Sequence, residues 1–136
     1  MFASTLSSSA VLHFDIEARA AYLYATVSGE FSLSGAQSGF RGMLQAAARH
    51  RQPRMLLDCT RVTGEMTVTD RLAFGSFIAD EQQRMLAQLP AAPQVAILAV
   101  PPIMDPGRFT QAVANNRGVR LRASDSLQEL LSWLGV

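Results

Sequence analysis

Lysine is missing from this 136-residue sequence, and all twelve of its Lys-or-Arg positions are arginine. That absence excludes Schiff-base chemistry, a P-loop lysine, a lysine general base and a Ser-Lys pair. Cysteine occurs once, as Cys59, which excludes an internal disulfide and makes the cytoplasm the default compartment. The two histidines, His13 and His50, show no ligand spacing with each other or with Cys59, so no metal site is expected. Long apolar runs are lacking as well. The longest, Val95 to Met104, contains Pro101 and Pro102 and is about half the ~20 residues of a membrane-spanning helix, so no membrane insertion is expected. Residues 1–10 are rich in serine without Lys or Arg, and read as a flexible lead-in rather than a signal peptide.

Motifs for common chemistries are equally scarce. No Gly-x-Ser-x-Gly elbow follows a strand-like run. Gly39 and Gly42 fall inside a helical pattern, where they permit close packing, rather than in the strand-to-helix turn of a dinucleotide site. Arg49-His50-Arg51 with Arg54 has no interleaved aromatics and no helix-turn-helix pattern. It reads as a solvated helix end rather than a nucleic-acid contact. Glu30 and Asp80-Glu81 have no partner acid at a defined spacing. No catalytic residue and no cofactor are expected.

What the sequence does contain is a core. Apolar residues make up 49% and charged residues 17%, with a net charge of +1, a balance that supports one packed domain over residues 11–136. Val11, Phe14 and Ile16, then Tyr22 to Val27, alternate as two strands across Glu17-Ala18-Arg19, an opening hairpin. Ser34-Gly-Ala-Gln37 has the form of a capping box before Phe40, Met43, Leu44 and Ala47 at helical spacing. Arg54 to Asp58 is a short buried strand, and Thr69-Asp70 opens a second helix that ends before Pro90. Gln94 to Val100 is apolar on both faces, as in a parallel strand covered on both sides. Asp105-Pro106 supplies a cap and first-turn proline for a helix to Asn115. Val119 to Arg122 alternates as an edge strand. Ser124-Asp125-Ser126 caps a last helix whose apolar face is Leu127, Leu130, Leu131 and Leu134, joined by Trp133. The order implies an α/β fold with a mixed, mostly parallel five-stranded sheet and about four helices.

That order of elements, with Val27-Ser-Gly-Glu30 before the first helix, Leu56-Leu-Asp58 in the third strand, and Val119-Arg-Leu-Arg followed by Leu130-Leu-Ser-Trp-Leu134 at the end, resembles the SpoIIAA-like (STAS) superfamily from about Val11 to Leu134. The resemblance implies a single SpoIIAA-like domain that binds other proteins, and sometimes nucleotides or lipids, with partner choice set around the loop between the third strand and second helix. Here that loop is Cys59 to Asp70. In the anti-sigma-factor antagonists of the family an Asp-Ser-Ser-Gly-like signature carries a phosphorylated serine or threonine. This sequence has Val68-Thr69-Asp70-Arg71-Leu72 instead, with Thr69 the nearest phosphorylatable match. Thr69, or Thr67 with Asp70 as its box partner, also suits a helix cap, and capping is the simpler role.

Asp58 is similar in position to the phosphoacceptor of response regulators, yet the acidic pair, the strand-four hydroxyl and the strand-five lysine of that site are lacking. A turn-former accepting backbone hydrogen bonds is the better reading of Asp58. Cys59 reads as a small core residue rather than a reactive thiol. The leading expectation is a non-enzymatic regulatory or protein-interaction module with an unidentified protein partner, a second copy of the chain included. The alternative is a binder of a small apolar or lipid-like ligand, drawn from Met66, Phe74, Phe77, Met85, Ile103, Met104 and Phe109 near the loops after the third and fourth strands.

Overall fold

The computed structural model describes residues 11–136, so the expected lead-in over residues 1–10 lies outside the described residues. Strand β1 (His13–Ala18) runs antiparallel to β2 (Leu23–Glu30), and β3 (Arg54–Thr63), β4 (Gln94–Leu98) and β5 (Arg120–Ser124) follow in parallel, in the spatial order β1-β2-β3-β4-β5. The helices are α1 (Leu33–His50), α2 (Val68–Arg84), α3 (Phe109–Asn116) and α4 (Leu127–Leu134), with a 3-10 turn at Leu86–Gln88. This is the five-stranded α/β arrangement expected from the sequence.

Right-handed crossovers that add each parallel strand on the same side of the last must all lie on one face of the sheet. Accordingly α1, α2 and α3 cover one face, where Phe40, Met43, Leu44, Phe74, Ile78 and Ala114 pack on Val27, Leu57, Val95 and Leu121. Helix α4, after the last described strand, covers the other face through Leu130 and Leu134 on Leu56, Ala96 and Leu98. The period of two along β3 sends Leu57 to the first cluster and Leu56 to the second. Phe40 is fully buried and meets the Phe74 ring edge-on at 6.2 Å, a contact worth about 0.5–1.5 kcal/mol beyond its area. Gly39 lets α1 approach β1, because a Cβ there would overlap the Phe14 ring.

Several boundaries differ from expectation, each for a local reason. Ser32, not Ser34, caps α1, its hydroxyl accepting the Gly35 N–H at 3.1 Å. β3 does not stop at Asp58 but continues to Thr63 through a bulge opposite Thr26 and Ser28. β4 ends at Leu98, short of Val100. α3 starts at Phe109 rather than at Pro106, and the Asp105 carboxylate still accepts the Phe109 N–H at 3.1 Å from outside the helix. Leu127 is exposed rather than part of the buried face of α4. The free edge of β5 is closed by side chains of α3: Asn115 Oδ1 accepts the Leu121 N–H at 3.2 Å and Gln111 Oε1 the Ala123 N–H at 2.8 Å.

One carboxylate on α2 ties two helices and carries a pH dependence. Glu81, buried, accepts from Arg84 at 2.6 Å and from Arg41 of α1 at 3.1 Å. Those arginines, Arg84 first, hold its carboxyl down at about 2 against an ordinary 4.5. Because the folded value lies below the unfolded one, this stabilisation is complete above the ordinary carboxylate value and is lost as pH falls through about 2. Both arginines face water, so we expect about 1–2 kcal/mol rather than the full value of the shift. Glu81→Gln should therefore lower stability by that amount at neutral pH in urea denaturation, with the gap to wild type closing in strong acid.

Candidate functional site

The carboxyl ends of β3, β4 and β5, with the chain that leaves them, form one end of the molecule and hold most of the residues singled out above. Gly64, at φ +89°, turns the chain out of β3 toward α2. Thr67 is the cap of α2: its hydroxyl accepts the Asp70 N–H at 3.0 Å, and the Asp70 carboxylate accepts the Thr67 N–H at 3.0 Å. This reciprocal box places Thr69 within the first turn, exposed, rather than at the cap. Val68 and Leu72 flank it one turn apart, with 71% and 51% of their surfaces in water.

Asp58 is not joined to this group. It points to the face covered by α4, where Tyr24 donates its hydroxyl to Oδ2 at 3.1 Å. The Thr60 N–H and hydroxyl donate to Oδ1 at 3.1 and 2.7 Å. Asp58 thus fixes the bulge in β3 rather than a turn at its end, and its oxygens are already engaged. Cys59 points to the opposite face. Burial, with a smaller contribution from the charge of Asp58, pushes its thiol up to about 12, so it stays protonated at neutral pH.

Cys59 lines a mainly apolar cavity of about 70 Å³, open on one side, between the sheet and helices α2 and α3. Leu57 and Ile97 form its floor, Phe74 and Met66 one wall, and Ile103 and Met104 of the loop after β4 another. Of the apolar residues expected from sequence, Met66, Phe74, Ile103 and Met104 are brought together here. Three are not. Phe77 lies under the Arg41 guanidinium, 5.3 Å from ring centre to carbon, Met85 is buried in the core at the far end of α2, and Phe109 lies partly exposed outside the lining.

The polar lining was not foreseen from the sequence. Arg71, only 7% exposed, donates to the carbonyls of Ile103 at 2.5 Å and Pro102 at 2.9 Å, and its guanidinium lies 3.3 Å from the Asp105 carboxylate. It thereby anchors the loop after β4 against α2. Arg108 and Thr110 complete the rim. Among the described residues no three His, Cys, Asp or Glu side chains are grouped to hold a metal ion, and no helix is long and apolar enough to cross a membrane.

Two solved structures share this architecture along nearly their whole length. An anti-sigma factor antagonist from Mycobacterium paratuberculosis is 14% identical, with 92% of this chain and 95% of that one covered at a TM-score of 0.59. An uncharacterized protein from Shewanella loihica with a SpoIIAA-like fold is 17% identical, with coverages of 91% and 94% and a TM-score of 0.50. The chain has a SpoIIAA-like (STAS) fold. No family model and no curated protein sequence matches it. Within this fold, Val68 and Leu72 stand exposed at the start of α2, and a mainly apolar cavity opens between the sheet, α2 and α3.

Proposed function

We propose that the chain is a non-enzymatic regulatory module that binds a protein partner through the first two turns of α2. The observation that carries this reading is the exposure of Val68 and Leu72 on one stripe of a helix start whose backbone is already capped by Thr67 and Asp70. Large apolar side chains left in water gain free energy when a partner covers them. The likeness in fold to an anti-sigma factor antagonist supports a regulatory class. Thr69 lies between the two apolar residues in sequence and is exposed. A phosphate there would add about −1.5 to −2 of charge beside an apolar contact and weaken it, a switch in the same place as the contact.

The test is a photo-crosslinking residue at Leu72, with the exposed Gln128 of α4 as the control position, used in extract of the source organism. A single heterologous protein should crosslink at Leu72 and not at Gln128, and both Val68→Asp and Thr69→Glu should abolish the adduct while the fold is kept. Adducts that are equal at both positions, or that consist of a second copy of this chain, would contradict the reading.

A second reading, binding of a small apolar ligand, is favoured by the cavity itself, whose lining brings Met66, Phe74 and Met104 around an open-sided space.

A further inference from the structure

The net charge of +1 conceals a strong polarity along the strands. Helices α1, α2 and α3 lead into β3, β4 and β5, so their C-terminal ends gather at the amino end of the sheet. α4 ends there too, its Leu134 carbonyl bonded to Arg54 at the start of β3. Four arginines at this end have no carboxylate partner among the described residues. Arg49 and Arg51 are exposed at the end of α1, and Arg54 and Arg120 donate only to the carbonyls of Leu134 and Ala92. Three more, Arg19, Arg84 and Arg117, are matched by Glu17, Glu81 and Asp80. Seven arginines against three carboxylates leave this end with an excess of four positive charges. The opposite end, where Val68 and Leu72 are exposed, has the reverse balance. Glu30, Glu65, Asp70, Asp105, Asp125 and Glu129 outnumber Arg61, Arg71 and Arg108 there, an excess of three negative charges.

Helix dipoles account for part of this pattern, since cations are favoured at C-terminal ends. They do not account for Arg120, which opens a strand, or for Arg51, which follows the last turn of α1. Unpaired like charges gathered on one end repel one another, and a negatively charged surface laid over them relieves the repulsion. Leu86, on the 3-10 turn after α2, is 44% exposed at the same end. The headgroup boundary of a bilayer takes an apolar side chain and arginines together, whereas the phosphate backbone of a nucleic acid takes only the arginines.

We propose that the amino end of the sheet is a docking surface for an anionic lipid bilayer, held by Arg49, Arg51, Arg54 and Arg120, with Leu86 reaching into the headgroup layer. The contact is peripheral. The same charge pattern sets the orientation, because the surface that attracts the basic end repels the acidic one. α2, 17 residues and about 25 Å long, then holds Val68 and Leu72 away from the lipid, more than a Debye length from it and free for a protein partner.

The experiment is flotation of the full chain with vesicles of phosphatidylcholine, alone or with about a third phosphatidylglycerol, at about 50 mM and about 0.5 M salt. The chain should float only with the anionic vesicles, and only at low salt. Arg49→Gln with Arg51→Asn should weaken that binding at least about tenfold. Arg61→Gln with Arg108→Asn removes the same charge from the other end and should change binding less than about twofold, which separates a docking end from net charge alone. Asparagine tolerates the left-handed backbone that Arg51 and Arg108 share, so both pairs keep the fold. Leu86→Asp should weaken binding and Val68→Asp should not, so failure of the bilayer contact and failure of the partner surface read out separately. Equal flotation with the two kinds of vesicle, equal losses from the two arginine pairs, or no flotation at low salt would overturn the proposal. Displacement of the chain from anionic vesicles by single-stranded DNA at equal phosphate concentration would also overturn it, in favour of a nucleic acid.

Discussion

Arg71→Met should cost the fold about 3 kcal/mol, read as a lower urea midpoint at an unchanged slope. The residue is 7% exposed, its guanidinium donates to the carbonyls of Ile103 and Pro102, and it forms an ion pair with the Asp105 carboxylate. Methionine fills similar volume but donates nothing. Breaking one side of a buried pair typically costs about 3–5 kcal/mol because the partner charge is left behind. The lower end applies here, since the Asp105 side chain keeps 26% of its surface in water. Adding Asp105→Asn should recover about 1 kcal/mol by removing the stranded charge. A loss under about 1 kcal/mol for Arg71→Met would show that the apolar packing of Ile103, not the guanidinium, holds the loop after β4.

Gly29→Ala should be of similar size, at about 3–5 kcal/mol, for an unrelated reason. Gly29 sits in β2 at φ +108°, where an L side chain is strained, and a Cβ there would lie 2.5 Å from the Val11 carbonyl oxygen. That neighbour is backbone and cannot swing aside as a side-chain tip would. Gly118, at φ +89° with nothing within 4 Å of its Cβ position, carries the strain without the clash. Gly118→Ala should therefore cost only about 1–2 kcal/mol. The difference between the two variants isolates the close approach of the chain at Val11. Equal losses would mean that conformation alone sets the cost.

These two positions also mark what the sequence can and cannot disclose. The order of strands and helices was legible because the apolar period changes between two and 3.6 at each element, as in Met55-Leu56-Leu57 against Phe40, Met43, Leu44 and Ala47. The parallel sheet followed from connection length and handedness. Cap positions were less legible, since Ser32 and Ser34, or Thr67 and Thr69, offer the same hydroxyl chemistry two residues apart and only the backbone decides between them. The reach of β3 to Thr63 was hidden because Thr60, Arg61 and Thr63 are polar and the bulge at Asp58 interrupts the alternation. For the candidate site, Met66, Phe74 and Met104 stood out as apolar residues near the right loops. Phe77 and Met85 pack on the same core but further toward and past the C-terminal end of α2, beyond the cavity, a separation along the helix axis that a list of apolar residues does not show. Arg71 and Thr110 gave no signal at all. Their roles come from long-range placement, Arg71 against a loop 31 residues away and Thr110 in a pocket built from every strand of the sheet.

The most direct test of a partner surface at the start of α2 is backbone hydrogen exchange of the chain, free and bound to the protein captured at Leu72. In the free chain the Asp70 and Arg71 N–H groups rest only on Thr67, at the exposed end of the helix. Binding there should slow exchange over residues 64–72 while β1 and α4 keep their rates. Protection confined to β1 or α4, with residues 64–72 unchanged, would contradict it.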